Sequence, residues 1–118
     1  MSKPKVRQAI EYAIDKEAIC NGPGQGLYKP FYQIVSSDHP DYNPACPPRK
    51  YDPAKAKNLL AEAGYPNGID VDVHVSTLEP SWSNLAVVYQ EQAAKAGIRV
   101  NVVQAPSDGY WNAIWMNK

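Results

Sequence analysis

The sequence predicts an α/β domain: a βαβ unit with flanking helices and a long proline-rich loop. Three stretches carry that prediction. Ile69, Val71, Val73 and Val75 alternate with Asp70, Asp72, His74 and Ser76, the period of a half-buried strand. Residues 81–96 then place Leu85, Val88, Tyr89, Ala93 and Ala96 on one helical face, and Gly97 closes the segment. Ile98, Val100 and Val102 restore the strand period. Strand, helix and strand over this length predict a right-handed crossover onto a parallel pair.

The elements that precede this unit are signalled by their caps. In 51–64, Asp52 stands before Pro53, an N-cap followed by proline at the first helical position, where the missing N–H costs nothing. Ala56, Leu59, Leu60 and Ala63 form the apolar face, and Gly64 falls where a left-handed C-terminal cap belongs. Tyr65, Pro66, Asn67 and Gly68 are turn formers. At the start of the chain, Val6, Ala9, Ile10, Ala13 and Ile14 make an apolar stripe. Asp15 can cap a second helical turn over 16–20, so a break is expected near Ile14 and Asp15 and the first twenty residues read as a helix pair. The glycine-rich run 21–26 follows a helix rather than a strand, which argues against a phosphate-binding loop. From 27 to 50 no periodicity is sustained, and Phe31, Tyr32, Ile34 and Val35 are expected to anchor this irregular loop by packing. Pro106, Ser107 and Asp108 open a final helix over 107–118, with Tyr110, Trp111, Ile114 and Trp115 on adjoining faces.

Composition excludes several function classes. The 12 basic and 12 acidic residues cancel and leave no basic stripe, so no electrostatic footprint for nucleic acid or an anionic membrane is present. No apolar run approaches transmembrane length, and no signal-peptide core precedes the first helix. Asp70, Asp72 and His74 share a strand face, which suggests acid–base chemistry, but a solvated or helix-covered strand face explains them more simply. No serine or cysteine stands in a recognisable nucleophile setting, so no catalytic residue is assigned. Cys20, Cys46, His39 and His74 lack paired ligand spacing, and neither a metal nor a cofactor is expected.

DPAKAKNLLAEAGYPNGIDVDV and the later AAKAGIRVNV resemble the extracellular solute-binding proteins, family 5, that serve peptide and nickel ABC transporters. The opening VRQAIEYAIDKEAI resembles the helix pair of the same family, in the same order and at similar spacing. The resemblance runs from about Val6 to Trp115 and implies part of a periplasmic-binding-protein-like lobe. Family members are several times longer than 118 residues, so the chain is expected to be a piece of one lobe. The implied function is the substrate-binding component of an ABC importer for oligopeptides or dipeptides, periplasmic or extracellular and membrane-associated in the full-length protein. The implied partners are a small solute and the permease's membrane subunits. A nickel complex, an oligosaccharide or an opine are alternative solutes within the family. A stand-alone α/β domain with an enzymatic or scaffold role is the reading outside it. In peptide-binding members an aspartate in the turn after the next strand pairs with the peptide's amino terminus, and no residue of this chain matches it.

The candidate site residues follow from this frame. In open α/β sheets ligands sit beyond the carboxyl ends of strands, beside helix N-termini. The turn joining the first strand to the next helix is therefore the best local candidate, with hydroxyls from Ser76, Thr77 and Ser81 and an amphipathic ring from Trp82. The resemblance implies that this turn faces the cleft between lobes. An ordinary helix entry, with Ser81 as cap and Trp82 packed on a neighbour, explains the same residues. The resemblance also implies that the long loop runs toward the cleft, which makes Leu27, Tyr28, Phe31 and Tyr32 candidates. Aromatics pinning a loop to its domain is the competing explanation. Cys20 and Cys46 flank the loop and are either buried free thiols or a disulfide. A disulfide would close roughly 27 residues and stabilise by about 3.5 kcal/mol on chain entropy. Apolar surface left uncovered on the last helix would favour a dimer.

Overall fold

The computed structural model describes residues 2–115. Its elements in order are α1 (Pro4–Tyr12), α2 (Lys16–Asn21), α3 (Pro53–Glu62), β1 (Ile69–Ser76), α4 (Pro80–Ala94), β2 (Ile98–Ala105) and α5 (Tyr110–Ala113). The strands pair in parallel, with Ile69 opposite Ile98 and Ser76 opposite Ala105. Among the described residues they form a two-stranded sheet, and α4 is the crossover that packs on both strands.

This register sorts the sheet into two unlike faces. Ile69, Val71 and Val73 lie beside Ile98, Val100 and Val102 and pack against the core. The opposite face carries Asp70 beside Arg99 and Asp72 beside Asn101, each joined by side-chain hydrogen bonds. Residues of α1, α3 and α4 pack on the apolar face, whereas the opposite face is exposed at Asp70 and Asp72 but buried at Ser76 and Ala105. α1 contributes Val6 and Ala9, with Ala13 just beyond it; α3 contributes Ala56 and Leu60; α4 contributes Ala93, with Ala96 after it. The run of alanines lets the helices approach closely, while Leu60 and Ile98 supply the bulk. Burying each of those two side chains is worth about 1.5–3 kcal/mol.

The caps act where the sequence places them. Asp52 accepts the Lys55 N–H at 2.9 Å, and Asp15 accepts the Ala18 N–H at 2.9 Å. Gly64 sits at φ 94, the left-handed conformation expected after α3. Two details of α4 differ from expectation. Its N-cap is Glu79 rather than Ser81, with Pro80 next. Its buried positions are Ala86 and Ala93, with Tyr89 packed against the core between them, which leaves Leu85 free to line a cleft.

The segment between α2 and α3 contains no helix or strand. Two of its four expected apolar anchors are not anchors, for Phe31 is exposed and Ile34 fully so, while Tyr32 and Val35 are half-buried. Polar contacts hold it instead. The Tyr32 hydroxyl donates to Glu17 at 3.1 Å, and its ring lies under Lys16 Nζ. The side chain of Gln33 brackets Asn43, donating to its carbonyl and accepting its N–H. Arg49 pairs with Glu11 at 2.6 Å, and the Asp52 N–H donates to the Tyr12 carbonyl. The loop is closed over its base, not glued along its length.

The final helix is shorter than the expected 107–118. It is a single turn, Tyr110–Ala113, opened by Gly109 in the left-handed region. The Trp115 N–H reaches back to the Tyr110 carbonyl at 3.0 Å, which closes that turn. Residues 116–118 of the expected helix lie outside the described residues. No helix among the described residues is long and apolar enough to cross a membrane.

Candidate functional site

A cleft of about 370 Å³ opens at the carboxyl end of β1, between the end of α2 and the first turns of α4. Ile19, Cys20, Pro23, Gly24 and Tyr28 form one wall, and Ser81, Trp82, Asn84 and Leu85 form the other.

The first wall is a reversing turn made rigid by backbone bonds. The Gly24 N–H donates to the Ile19 carbonyl at 2.9 Å, and the Gly26 N–H to the Cys20 carbonyl at 2.8 Å. Gly24 is buried, and a β-carbon there would press into the Cys20 backbone, so this position requires glycine. Gln25 and Gly26 take positive φ and swing the chain around toward Tyr28. The second wall is the entry to α4. The buried Ser76 hydroxyl accepts the Leu78 N–H at 3.3 Å, and the Glu79 carboxylate accepts the Ser81 N–H at 3.2 Å. These bonds fix the turn and set Trp82 on the first turn of the helix. Behind it stands the buried ring of Tyr110, 5.9 Å away between centroids and tilted by 45°. Tyr110 in turn meets Trp111 edge-on, and Trp111 meets Trp115.

Among the described residues no Asp, Glu, Lys or Arg lines the cleft. The groups with shifted pKa values lie elsewhere. Arg99 hydrogen-bonds Asp70 and holds that carboxyl below its ordinary value, on the open sheet face at the other end of β1. Burial pushes the Tyr89 hydroxyl up to about 12, within the core packing of α4. A hydrogen bond and the charge of Glu17 add to burial in raising Tyr32. This arrangement gives the cleft the means to hold an uncharged group by contact and hydroxyl bonding, with no acid–base pair aimed into it.

The structure brings Tyr28, Ser81 and Trp82 together and leaves the other candidates apart. Ser76 lies beneath the turn with its hydroxyl committed to Leu78, and Thr77 is exposed on the turn outside the lining. Leu27 and Phe31 are exposed beyond the cleft, and Tyr32 turns away toward Glu17. Ile19, Cys20, Pro23, Gly24, Asn84 and Leu85 belong to the lining without having been singled out as ligand contacts. Leu85 was legible, because it follows Ser81 by four and Trp82 by three on one helix face. The α2 wall was not, because no local pattern tells which helix meets which loop.

The disulfide is not formed. Cys20 is a partly buried free thiol in the cleft wall, and Cys46 is an exposed free thiol. Cys46 lines a separate hollow with Tyr12, Arg49 and Lys55. That hollow is larger, at about 500 Å³, but its three cations are engaged: Arg49 by Glu11, Lys50 by Glu17 at 3.9 Å, and Lys55 over the Tyr12 ring at 4.5 Å. We therefore place the candidate site in the smaller cleft. Among the described residues no group of three or more His, Cys, Asp or Glu is placed to hold a metal ion. His74 Nδ1 is buried without a hydrogen-bond partner among the described residues.

Comparison with known proteins places this geometry in a family. The model of bacterial extracellular solute-binding proteins, family 5 Middle, matches residues 1–118. Heme-binding protein A of Haemophilus influenzae is 38% identical over 107 residues, covering 84% of this chain and 19% of that protein. The glutathione-binding protein GsiB of Pectobacterium atrosepticum is 38% identical over 99 residues, again covering 84% of this chain and 19% of that protein. The solved structure of the ABC transporter-associated periplasmic binding protein DppA from Helicobacter pylori, in complex with the peptide STSA, superposes with a TM-score of 0.79 at 31% identity. That match covers 92% of this chain and 21% of DppA. The chain thus spans about a fifth of the length of the proteins it matches, and it belongs to the bacterial extracellular solute-binding proteins, family 5.

Proposed function

We propose that this chain supplies part of one lobe to the solute-binding component of an ABC importer, and that the solute is a peptide. The observation that carries the reading is the uncharged cleft at the carboxyl end of β1, walled by Tyr28, Ser81 and Trp82. It occupies the place where open α/β sheets bind ligands, beyond a strand end and beside a helix N-terminus. The peptide class is supported by the likeness to DppA, solved with a peptide, and to GsiB, named for glutathione.

The mechanism in this reading is differential binding and requires no bond to be made or broken. A solute that touches both lobes favours the closed form by the free energy of the added contacts, and the closed form is what the permease receives. This lobe contributes one wall of those contacts. The compartment is periplasmic or extracellular.

Calorimetry on the gene product that carries this segment tests the reading with unmodified oligopeptides. Saturable one-to-one binding at micromolar Kd or tighter, about −8 kcal/mol, is expected. Heat from hemin or a nickel complex with none from peptides would overturn the peptide assignment. The 118 residues alone are expected to give no measurable peptide heat, because a single wall offers no closure.

A further inference from the structure

Resting on the importer reading above, we propose that the cleft is a side-chain pocket that selects an uncharged, preferably aromatic, side chain of the solute. Trp82 is its stacking wall, and Tyr110 is the residue that positions Trp82.

The chemistry of the lining carries the argument. Ile19, Pro23, Leu85 and the rings of Tyr28 and Trp82 offer apolar surface, and Ser81 and Asn84 add only neutral polar atoms. A charged side chain entering here would lose its hydration and meet no opposite charge, which is costly. An aromatic ring would gain contact with Trp82 and Tyr28 in offset or edge-on geometry. The size agrees: about 370 Å³ lies near the lower end of the ~300–1,000 Å³ typical of small-ligand sites, room for one bulky group rather than an extended chain. Preorganisation agrees as well. Tyr110 is buried against Trp82, so the indole is already held before a ligand arrives. Tyr28, by contrast, is 69% exposed and is the flap that a ligand would order.

The test uses the gene product that carries this segment and tetrapeptides that differ only at one side chain: Phe, Leu, Lys or Glu, scanned through each position. At one position Phe is expected to bind about tenfold or more tighter than Lys or Glu. Trp82→Ala is expected to abolish that ratio, chiefly by weakening the Phe peptide. Tyr28→Ser, at an exposed position, is expected to reduce the ratio in part. Tyr110→Phe should keep the ratio and Tyr110→Ala should lower it, with a shift in the Trp82 indole resonance that reports lost positioning. Equal binding of charged and aromatic peptides at every position would overturn the pocket while leaving the peptide reading intact. So would a ratio that survives both Trp82→Ala and Tyr28→Ser. If no peptide binds, the peptide reading fails, and N-acetyl-phenylalaninamide and N-acetyl-lysinamide become the probes. A Trp82-dependent preference for the former supports the pocket for another solute, and none overturns it.

Discussion

Gln92 of α4 holds the backbone of Asp15 with both ends of its side-chain amide. Its carbonyl oxygen accepts the Asp15 N–H at 2.9 Å, and its nitrogen donates to the Asp15 carbonyl at 3.4 Å. The pair bridges 77 positions of sequence at a partly buried site. It fixes the break between α1 and α2 against α4, and so sets the two walls of the cleft relative to each other.

Gln92→Ala should therefore lower stability by about 1–2 kcal/mol, because Asp15 loses a partner for both backbone groups. Gln92→Glu keeps the acceptor and loses the donor, and a smaller loss is expected. Urea unfolding of the 118-residue chain measures both. Wild-type stability in Gln92→Ala would show that the bridge contributes nothing.

A second junction depends on the absence of a side chain. Gly68 has φ 84, and a β-carbon on it would overlap the Gly97 carbonyl oxygen, which accepts the Ile69 N–H at 3.1 Å. Gly68→Ala combines backbone strain with a clash at the first rung of the sheet and should cost about 2 kcal/mol or more. Gly64 has a similar φ of 94, but a β-carbon there would meet only the flexible Lys3 Nζ at an ordinary 3.8 Å, so Gly64→Ala should cost only about 1 kcal/mol. Equal losses in thermal unfolding would mean that the clash is relieved by a small shift.

These two junctions mark where the sequence was legible and where it was not. Local signals succeeded. The alternation through Val71 and Val73, the caps Asp15 and Asp52, and the left-handed Gly64 are each written in a few neighbouring residues. Relations between distant segments were not written there. Gln92 is one polar residue on a helix, and nothing near it points to Asp15. Tyr28, Ser81 and Trp82 could be named singly from turn chemistry and resemblance, but their meeting depends on α2 docking beside α4. Phe31 and Ile34 misled because hydrophobicity alone does not create a surface to pack on, and Ile34 finds none.

Stability should also report the burial of Tyr89. Its hydroxyl titrates near 10 in the unfolded chain and is raised to about 12 by burial in the fold. The folded state thus favours the protonated form. The associated stability is complete below about pH 10 and is lost as pH rises toward about 12. The difference in unfolding free energy between wild type and Tyr89→Phe should be flat below that window and shrink across it. A flat difference through pH 12 would place the hydroxyl in water.

Thiol titration checks the cysteines. Cys46 is exposed and should react rapidly with a water-soluble disulfide reagent, while the partly buried Cys20 should react more slowly. A reductant should leave the unfolding midpoint unchanged. A midpoint that drops on reduction would establish the crosslink between them.

The most direct measurement is photo-crosslinking of a benzophenone-bearing peptide to the gene product that carries this segment, followed by mapping of the attachment points. Attachment at Tyr28, Ser81, Trp82 or Leu85 is the expected result, and Trp82→Ala should reduce it. Attachment confined to the Asp70 and Asp72 sheet face, or lying wholly outside residues 1–118, would contradict the placement of the solute at this cleft.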